Sequence, residues 1–141
     1  MMEGEFRIRV TYAMTGRLVM LSHLETARAI ERTVRRSDLP FAVTQGFSPH
    51  MKLAFGSALP VGVGGLAEIF DVTMTAFVPP AEALARLRAA SAPDLMPCDV
   101  RYIDKTVKAA SVAYPFSTYR VELADGADAS VLEVPEEIVV V

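Results

Sequence analysis

Hydrophobic and polar residues alternate strictly over Phe6–Tyr12, and this period of two predicts a β-strand with one buried face. The residues after this strand show the spacing of an amphipathic α-helix. Ser22 and Glu25 have the spacing of a capping box, so we expect a helix to begin there. Apolar residues then recur at helical spacing as far as Val34, and Pro40 restricts the backbone soon afterwards. The first forty residues therefore predict a strand followed by an amphipathic helix.

The remaining pattern predicts a second helix set among further strands. Glycines and a proline crowd residues 56–65, which is typical of a loop. Pro79 and Pro80 favour the start of a helix that extends to about Ala90. By alternation and β-branched content we expect strands over residues 41–44, 51–55, 68–77 and 96–103, and a β-prone segment over residues 112–123.

This order of elements predicts an α+β fold. The succession β-α-β-β-α-β favours a ferredoxin-like sandwich with both helices on one face of the sheet, followed by additional C-terminal strands. Residues 1–141 are expected to form a single domain, because the length suits one core. The chain stops at an apolar run, residues 138–141, so either that run pairs in the sheet or the sequence is truncated from a longer protein.

Composition narrows the class of protein. Hydrophobic residues make up 52% of the chain and charged residues 22%, as in folded globular proteins. No apolar run is long enough for a membrane span, and the N-terminus does not resemble a signal peptide. A single cysteine, Cys98, excludes an internal disulfide. We expect a cytoplasmic protein without a membrane partner.

The charges are unevenly distributed and suggest an anion-binding surface. Residues 1–56 carry eight Lys/Arg and five Asp/Glu, a net +3, whereas residues 57–141 carry six and twelve, a net −6. Arg28, Arg32 and Arg35 line one stripe of the first predicted helix, and their guanidinium forks match phosphate oxygens. We expect Arg7, Arg9, Arg17 and Lys52 to join them. The alternative is an ordinary solvated helix face.

Two histidines and one loop are the other candidates for chemistry. His23 lies in the first helical turn on the stripe of core residues, which also fits a packed structural histidine. His50 ends the loop Gln45-Gly46-Phe47-Ser48-Pro49-His50, which is either a binding loop or a plain hairpin connection. Two histidines reaching one phosphodiester could act as general base and acid. Glu68 and Asp71 are the only carboxylates considered for a metal site with them, and neither a metal nor a cofactor is predicted.

Several motifs resemble those of the radical-SAM-linked protein family, a domain of unknown function that is found fused to radical S-adenosylmethionine proteins or as a separate chain. The resemblance covers residues 6–75, and Glu68 and Asp71 match a later acidic pair. The sequence departs from the family pattern at Glu25, Ser48, Met51 and Gly64-Gly65. The motifs that carry the resemblance are Thr15-Gly16-Arg17, Met20-Leu21-Ser22-His23-Leu24-Glu25, Arg35-Arg36, Leu39-Pro40, Thr44-Gln45-Gly46-Phe47-Ser48-Pro49-His50-Met51-Lys52 and Ala58-Leu59-Pro60-Val61-Gly62.

The resemblance implies a partner rather than a reaction. Radical SAM chemistry requires a three-cysteine cluster motif, and this chain has only Cys98. It therefore implies a non-catalytic accessory or substrate-presenting domain beside a separate radical SAM protein, with RNA as the favoured anionic partner.

Three hypotheses remain open on the sequence. The first is RNA binding through Arg28, Arg32, Arg35, Lys52, Gln45, Phe47 and His50. The second is a metal-independent RNA endonuclease or phosphoryl-transfer enzyme that uses His23 and His50. The third is a protein-interaction module that docks through the C-terminal apolar strand. The sequence does not determine the oligomeric state.

Overall fold

A computed structural model describes residues 5–104, 106–114, 116–123 and 126 of the chain. Within these ranges the chain forms four strands and three α-helices, and a 3₁₀ helix over Gly16–Met20 connects the first strand to the first helix. The strands are β1 (Phe6–Met14), β2 (Leu53–Phe55), β3 (Gly65–Met74) and β4 (Leu95–Ile103), and the helices are α1 (His23–Arg36), α2 (Pro80–Ala90) and α3 (Ala110–Ala113).

The four strands form one sheet in the order β2-β3-β1-β4, and every neighbouring pair is antiparallel. The α+β class is therefore confirmed. β1 lies in the interior of the sheet and pairs on both sides. Its register with β3 sets Arg9 opposite Asp71 and Tyr12 opposite Glu68. Because side chains alternate along a strand, these two pairs lie on opposite faces of the sheet.

The hydrophobic core lies between one face of the sheet and the two longer helices. Ile8 and Val10 of β1 are fully buried there together with Phe70 and Val72 of β3. The apolar stripes of the helices close the same cluster, which includes Ile30, Val34, Ala83 and Leu87. The alternation over residues 6–12 and the helical spacing of α1 thus identified the main packing faces correctly.

The start of α1 is fixed by the predicted capping box. The Ser22 hydroxyl accepts a hydrogen bond from the Glu25 backbone N–H at 3.2 Å, and the Glu25 carboxylate accepts one from the Ser22 N–H at 3.1 Å. The latter bond lowers the pKa of the Glu25 carboxyl below its usual value. The cap satisfies two N–H groups that the first turn would otherwise leave unpaired.

The second face of the sheet is covered by the segment that follows β4. Arg9 on that face forms a bidentate ion pair with Asp71, at 2.8 and 3.0 Å, and both side chains are buried. The Arg9 guanidinium also donates to the carbonyl of Lys108 at 2.8 Å, and its cationic carbon lies 5.9 Å from the centre of the Tyr114 ring. Arg9, held in place by Asp71, thus fixes the segment of Lys108 and Tyr114 on this face of the sheet.

The strand predicted over residues 112–123 is wrong for the described part of that segment. Residues 110–113 form the short helix α3, and no strand is formed at residue 114 or over residues 116–123. Residues 41–44 do not form the predicted strand and contribute only the isolated bridges Phe41 to Met74 and Val43 to Met51. The strand predicted over residues 51–55 is shortened to β2. The predicted C-terminal strand at residues 138–141 lies outside the described residues.

None of the helices in the described ranges has both the length and the apolar content that a membrane crossing requires.

Candidate functional site

Arg28 and Arg32 are exposed on the outer face of α1, one turn apart. Side chains at this spacing are neighbours, with about 5–6 Å between their Cβ atoms. Among the carboxylates that the structure describes, none lies within 4.0 Å of either guanidinium. These two arginines therefore keep their hydrogen-bond donors available to an external anion.

Arg35 continues this stripe but is already held by neighbours. Its guanidinium donates to Glu31 at 3.1 Å, and its cationic carbon lies 5.3 Å from the centre of the Phe41 ring. Both members of the ion pair are substantially exposed, so the pair itself contributes little to stability. Arg35 is best described as an oriented cation at the C-terminal end of the arginine stripe.

Lys52 does not join the arginines of α1. The register pairs Leu53 with core residue Val72, so Lys52 points to the opposite face of the sheet, where it forms a 2.7 Å ion pair with Glu5. Arg7 lies on that same second face, and donates to the Val107 carbonyl at 3.0 Å. Arg9 is buried there against Asp71. The cations expected to form a single cluster are thus divided between two faces.

The loop from Gln45 to His50 projects from the end of the sheet. Its aromatic residue Phe47 is fully exposed, and Gly46 has a φ of 141°, a backbone conformation that residues with side chains rarely adopt. The base of the loop is closed by the Thr44 N–H, which donates to the His50 carbonyl at 2.8 Å. A closed base with an exposed ring at its tip suits a contact with a flat partner such as a nucleobase.

His50 is oriented by its own loop. Its Nδ1 lies 3.0 Å from the Ser48 carbonyl and 3.3 Å from the Thr44 hydroxyl. A carbonyl oxygen only accepts hydrogen bonds, so the first contact requires the proton on Nδ1. In the neutral ring this leaves Nε2 as the acceptor facing outward.

His23 is the first residue of α1 and lies beside the C-terminal end of β2. Its ring packs edge-on against Phe55 with a centroid distance of 5.8 Å. The imidazole of His50 instead contacts only its own loop, at Ser48 and Thr44, among the described residues. A general base and acid must each reach a proton of the same phosphodiester at about 3 Å. In the described residues, His23 lines a cleft that His50 does not line.

Sequence reasoning did not identify the surroundings of His23 as a cleft. Glu68 and Tyr12 face each other across β3 and β1 beside this imidazole and line a small cavity with it. The alternating pattern of β1 and β3 places both side chains on the same face as the core residues. It does not show that α1 approaches this end of the sheet. Asp71, which the sequence suggested as a second carboxylate beside Glu68, lies on the other face of the sheet. In the described residues no three His, Cys, Asp or Glu side chains converge as metal ligands would.

Comparison with known proteins identifies a family. A family model described as an uncharacterized protein conserved in bacteria, DUF2344, matches residues 7–139. No curated protein and no solved structure matches the chain. Because the match spans nearly all of the sequence, the chain belongs to the DUF2344 family of uncharacterized bacterial proteins.

Proposed function

We propose that this protein is a non-catalytic accessory domain that binds single-stranded RNA through the outer face of α1. The observation that carries the proposal is the pair Arg28 and Arg32, which are exposed, adjacent and without a carboxylate within 4.0 Å among the described residues. Arginine forks bind phosphate oxygens bidentately, and most of the affinity for nucleic acid comes from such backbone contacts. Arg35 extends the stripe toward Phe41.

The exposed loop complements the arginine stripe. Phe41, which contacts Arg35, is followed three residues later by Thr44, where the loop carrying Gln45, Phe47 and His50 begins. An aromatic ring without packing neighbours is available to stack on an unpaired base, a contact worth about 1–3 kcal/mol. The outward Nε2 of His50 and the amide of Gln45 add hydrogen-bonding groups. Lys52 has no part in this surface, since it faces the other side of the sheet.

Salt dependence tests the proposal. In binding measurements with a labelled single-stranded RNA of mixed sequence, we expect Arg28→Ala/Arg32→Ala to weaken affinity. Loss of two phosphate contacts reduces the slope of log K against log salt concentration by about 1.4, since each contact on a single strand contributes about 0.7. Phe47→Ala should weaken binding without changing this slope, because stacking releases no counterions.

The matched control is Arg101→Ala/Arg120→Ala, which removes the same charge from exposed sites on β4 and in the segment after α3. It should retain most of the affinity and the full slope. If the α1 variant binds RNA with unchanged affinity and slope, or if the control loses as much, the proposed surface is wrong.

We also infer a ferredoxin-like fold and a radical SAM partner. The antiparallel strand order and the placement of α1 and α2 against one face support the fold assignment. The partner rests on the motif resemblance alone. Purification of the tagged protein from its own cells together with a radical SAM protein would support it, and repeated purification without one would contradict it.

The structure favours no second function to the same extent. The phosphoryl-transfer hypothesis requires His23 and His50 at one substrate, whereas the His23 ring packs against Phe55 and the His50 ring contacts its own loop. The docking-strand hypothesis concerns residues outside the described part of the chain.

A further inference from the structure

A small cleft lies where the N-terminus of α1 meets the beginning of β3 and the loop after β2. Its polar and aromatic lining residues are Tyr12, His23, Thr26, Phe55, Ser57 and Glu68. The floor is apolar, with Met14 and Ile69 among its residues. The cavity volume is about 20 Å³, which is room for one group of the size of a water molecule. The cleft therefore suits the end of a side chain or of a small molecule rather than a whole cofactor.

Glu68 is the unusual residue of this cleft. Its carboxyl is half-buried, and burial raises its pKa above the usual value. Within the described part of the chain, no cation lies within 4.0 Å of this carboxylate and no side chain or backbone N–H donates to it. A carboxylate that loses water on folding without gaining a partner is costly. A ligand that supplies N–H donors would offset this cost.

The Glu68 side chain packs against the backbone of Gly65 at the beginning of β3. A Cβ placed on Gly65 would collide with the Glu68 side chain, which therefore lies directly across this glycine. From the neighbouring strand, Tyr12 faces Glu68. Burial raises the pKa of the Tyr12 phenol, and the negative charge of Glu68 raises it further. The phenol is thus a neutral hydrogen-bonding group at physiological pH.

Three aromatic side chains of the lining suit a cation. Phe55, Tyr12 and the His23 ring line the same cleft as the Glu68 carboxylate, and aromatic rings attract ammonium groups through their negative faces. The positive end of the α1 dipole opposes a cation here, but the Glu25 carboxylate in the first turn offsets it.

We propose that this cleft binds a primary alkylammonium group, with the Glu68 carboxylate as its counter-ion and the aromatic rings against its carbon stem. This site is separate from the RNA surface proposed above and does not depend on it. With 100° per residue, Arg28 and Arg32 lie about 140° and about 180° around α1 from His23, on the other side of the helix. The source of the ammonium group is either a free diamine or a lysine side chain of a partner protein.

Solution NMR with simple probes tests this proposal. n-Butylammonium should saturably shift the Glu68 carboxyl ¹³C signal and the neighbouring backbone amides, whereas n-butanol, which matches its carbon stem without the charge, should bind much more weakly. Cadaverine and Nα-acetyl-lysine methylamide distinguish the two sources, since the free diamine should bind tighter if a polyamine is the ligand and the lysine derivative if a protein is.

Two variants and a control assign the effect to Glu68. We expect Glu68→Gln, which keeps the shape and removes the charge, to weaken n-butylammonium binding at least tenfold, because a charge-assisted hydrogen bond is lost. Gly65→Ala keeps the charge but displaces the Glu68 side chain, and should also weaken binding. Glu82→Gln removes an exposed carboxylate from α2 and should change nothing.

Three results would overturn the proposal: equal affinities for n-butylammonium and n-butanol, wild-type affinity in Glu68→Gln, or no saturable shift of the Glu68 carboxyl signal in the wild-type protein. The last measurement uses the unmodified protein and remains decisive even if a variant fails to fold.

Discussion

At the scale of single residues, the buried Arg9–Asp71 pair has the largest structural role among the charged side chains described above. Arg9 looks in the sequence like any other polar position of an alternating strand, and it was expected to contribute to an anion site. In the structure, the Arg9 guanidinium instead donates hydrogen bonds to the Asp71 carboxylate and to the Lys108 carbonyl. Hydrogen bonding to Asp71 raises the pKa of the guanidinium above its already high value, so it stays charged.

Removing one member of this pair should be strongly destabilising. Asp71→Asn leaves a buried guanidinium without its counter-charge, and we expect a loss of about 3–5 kcal/mol in the free energy of unfolding. Urea denaturation followed by circular dichroism measures it. Glu5→Gln, which breaks the exposed pair with Lys52, should cost less than about 1 kcal/mol. Similar costs for the two variants would show that Arg9–Asp71 does not anchor the second face.

At the scale of elements, local signals predicted α1 better than they predicted the last strands. The Ser22–Glu25 capping box and the apolar stripe of α1 depend on residues close together in the chain. The segment 112–123 also has a strong β propensity, yet its described residues form α3 and irregular backbone. Strand formation requires a neighbouring strand as well as propensity. The bond from Arg9 to Lys108 directs this segment across the sheet face instead of along an edge.

The capping box gives a test at this scale. Ser22→Ala removes the hydroxyl that accepts from the Glu25 N–H, and should lower the free energy of unfolding by about 0.5–2 kcal/mol. Thermal or urea unfolding measures the change. Thr15, the residue before the 3₁₀ helix, makes no side-chain capping bond, so Thr15→Ala is the matched control and should have a smaller effect. Equal effects would mean that the cap does not stabilise α1.

At the scale of the whole molecule, the basic first half of the chain does not form one basic side. α1 displays Arg28 and Arg32 outward from the core, whereas Arg7, Arg9 and Lys52 lie on the far face of the sheet. The cleft at Glu68 is on a third region, beneath the N-terminus of α1. The protein therefore presents two candidate ligand sites of opposite charge on different sides of one helix.

This separation predicts that the two sites act independently. Arg28→Ala/Arg32→Ala should leave n-butylammonium affinity unchanged, and Glu68→Gln should leave the salt dependence of RNA binding unchanged. Effects at well-separated sites add within about 0.5 kcal/mol, and a double-variant cycle on both affinities measures the coupling. A coupling free energy well above that value would place the two ligands in one shared site.

The sequence by itself determined the α+β class, the faces of β1 and α1, the capped start of α1 and the proline-led start of α2. These features follow from side-chain periodicity and from hydrogen bonds between residues three or four apart, which do not depend on the rest of the fold. The tertiary structure alone decided which charges are free. Whether an arginine meets a phosphate or a carboxylate depends on its partner across the sheet: Asp71 lies 62 positions from Arg9 in the chain. The same dependence on strand pairing brings Tyr12 to Glu68 and forms the cleft, because register, unlike periodicity, is set by contacts between distant segments.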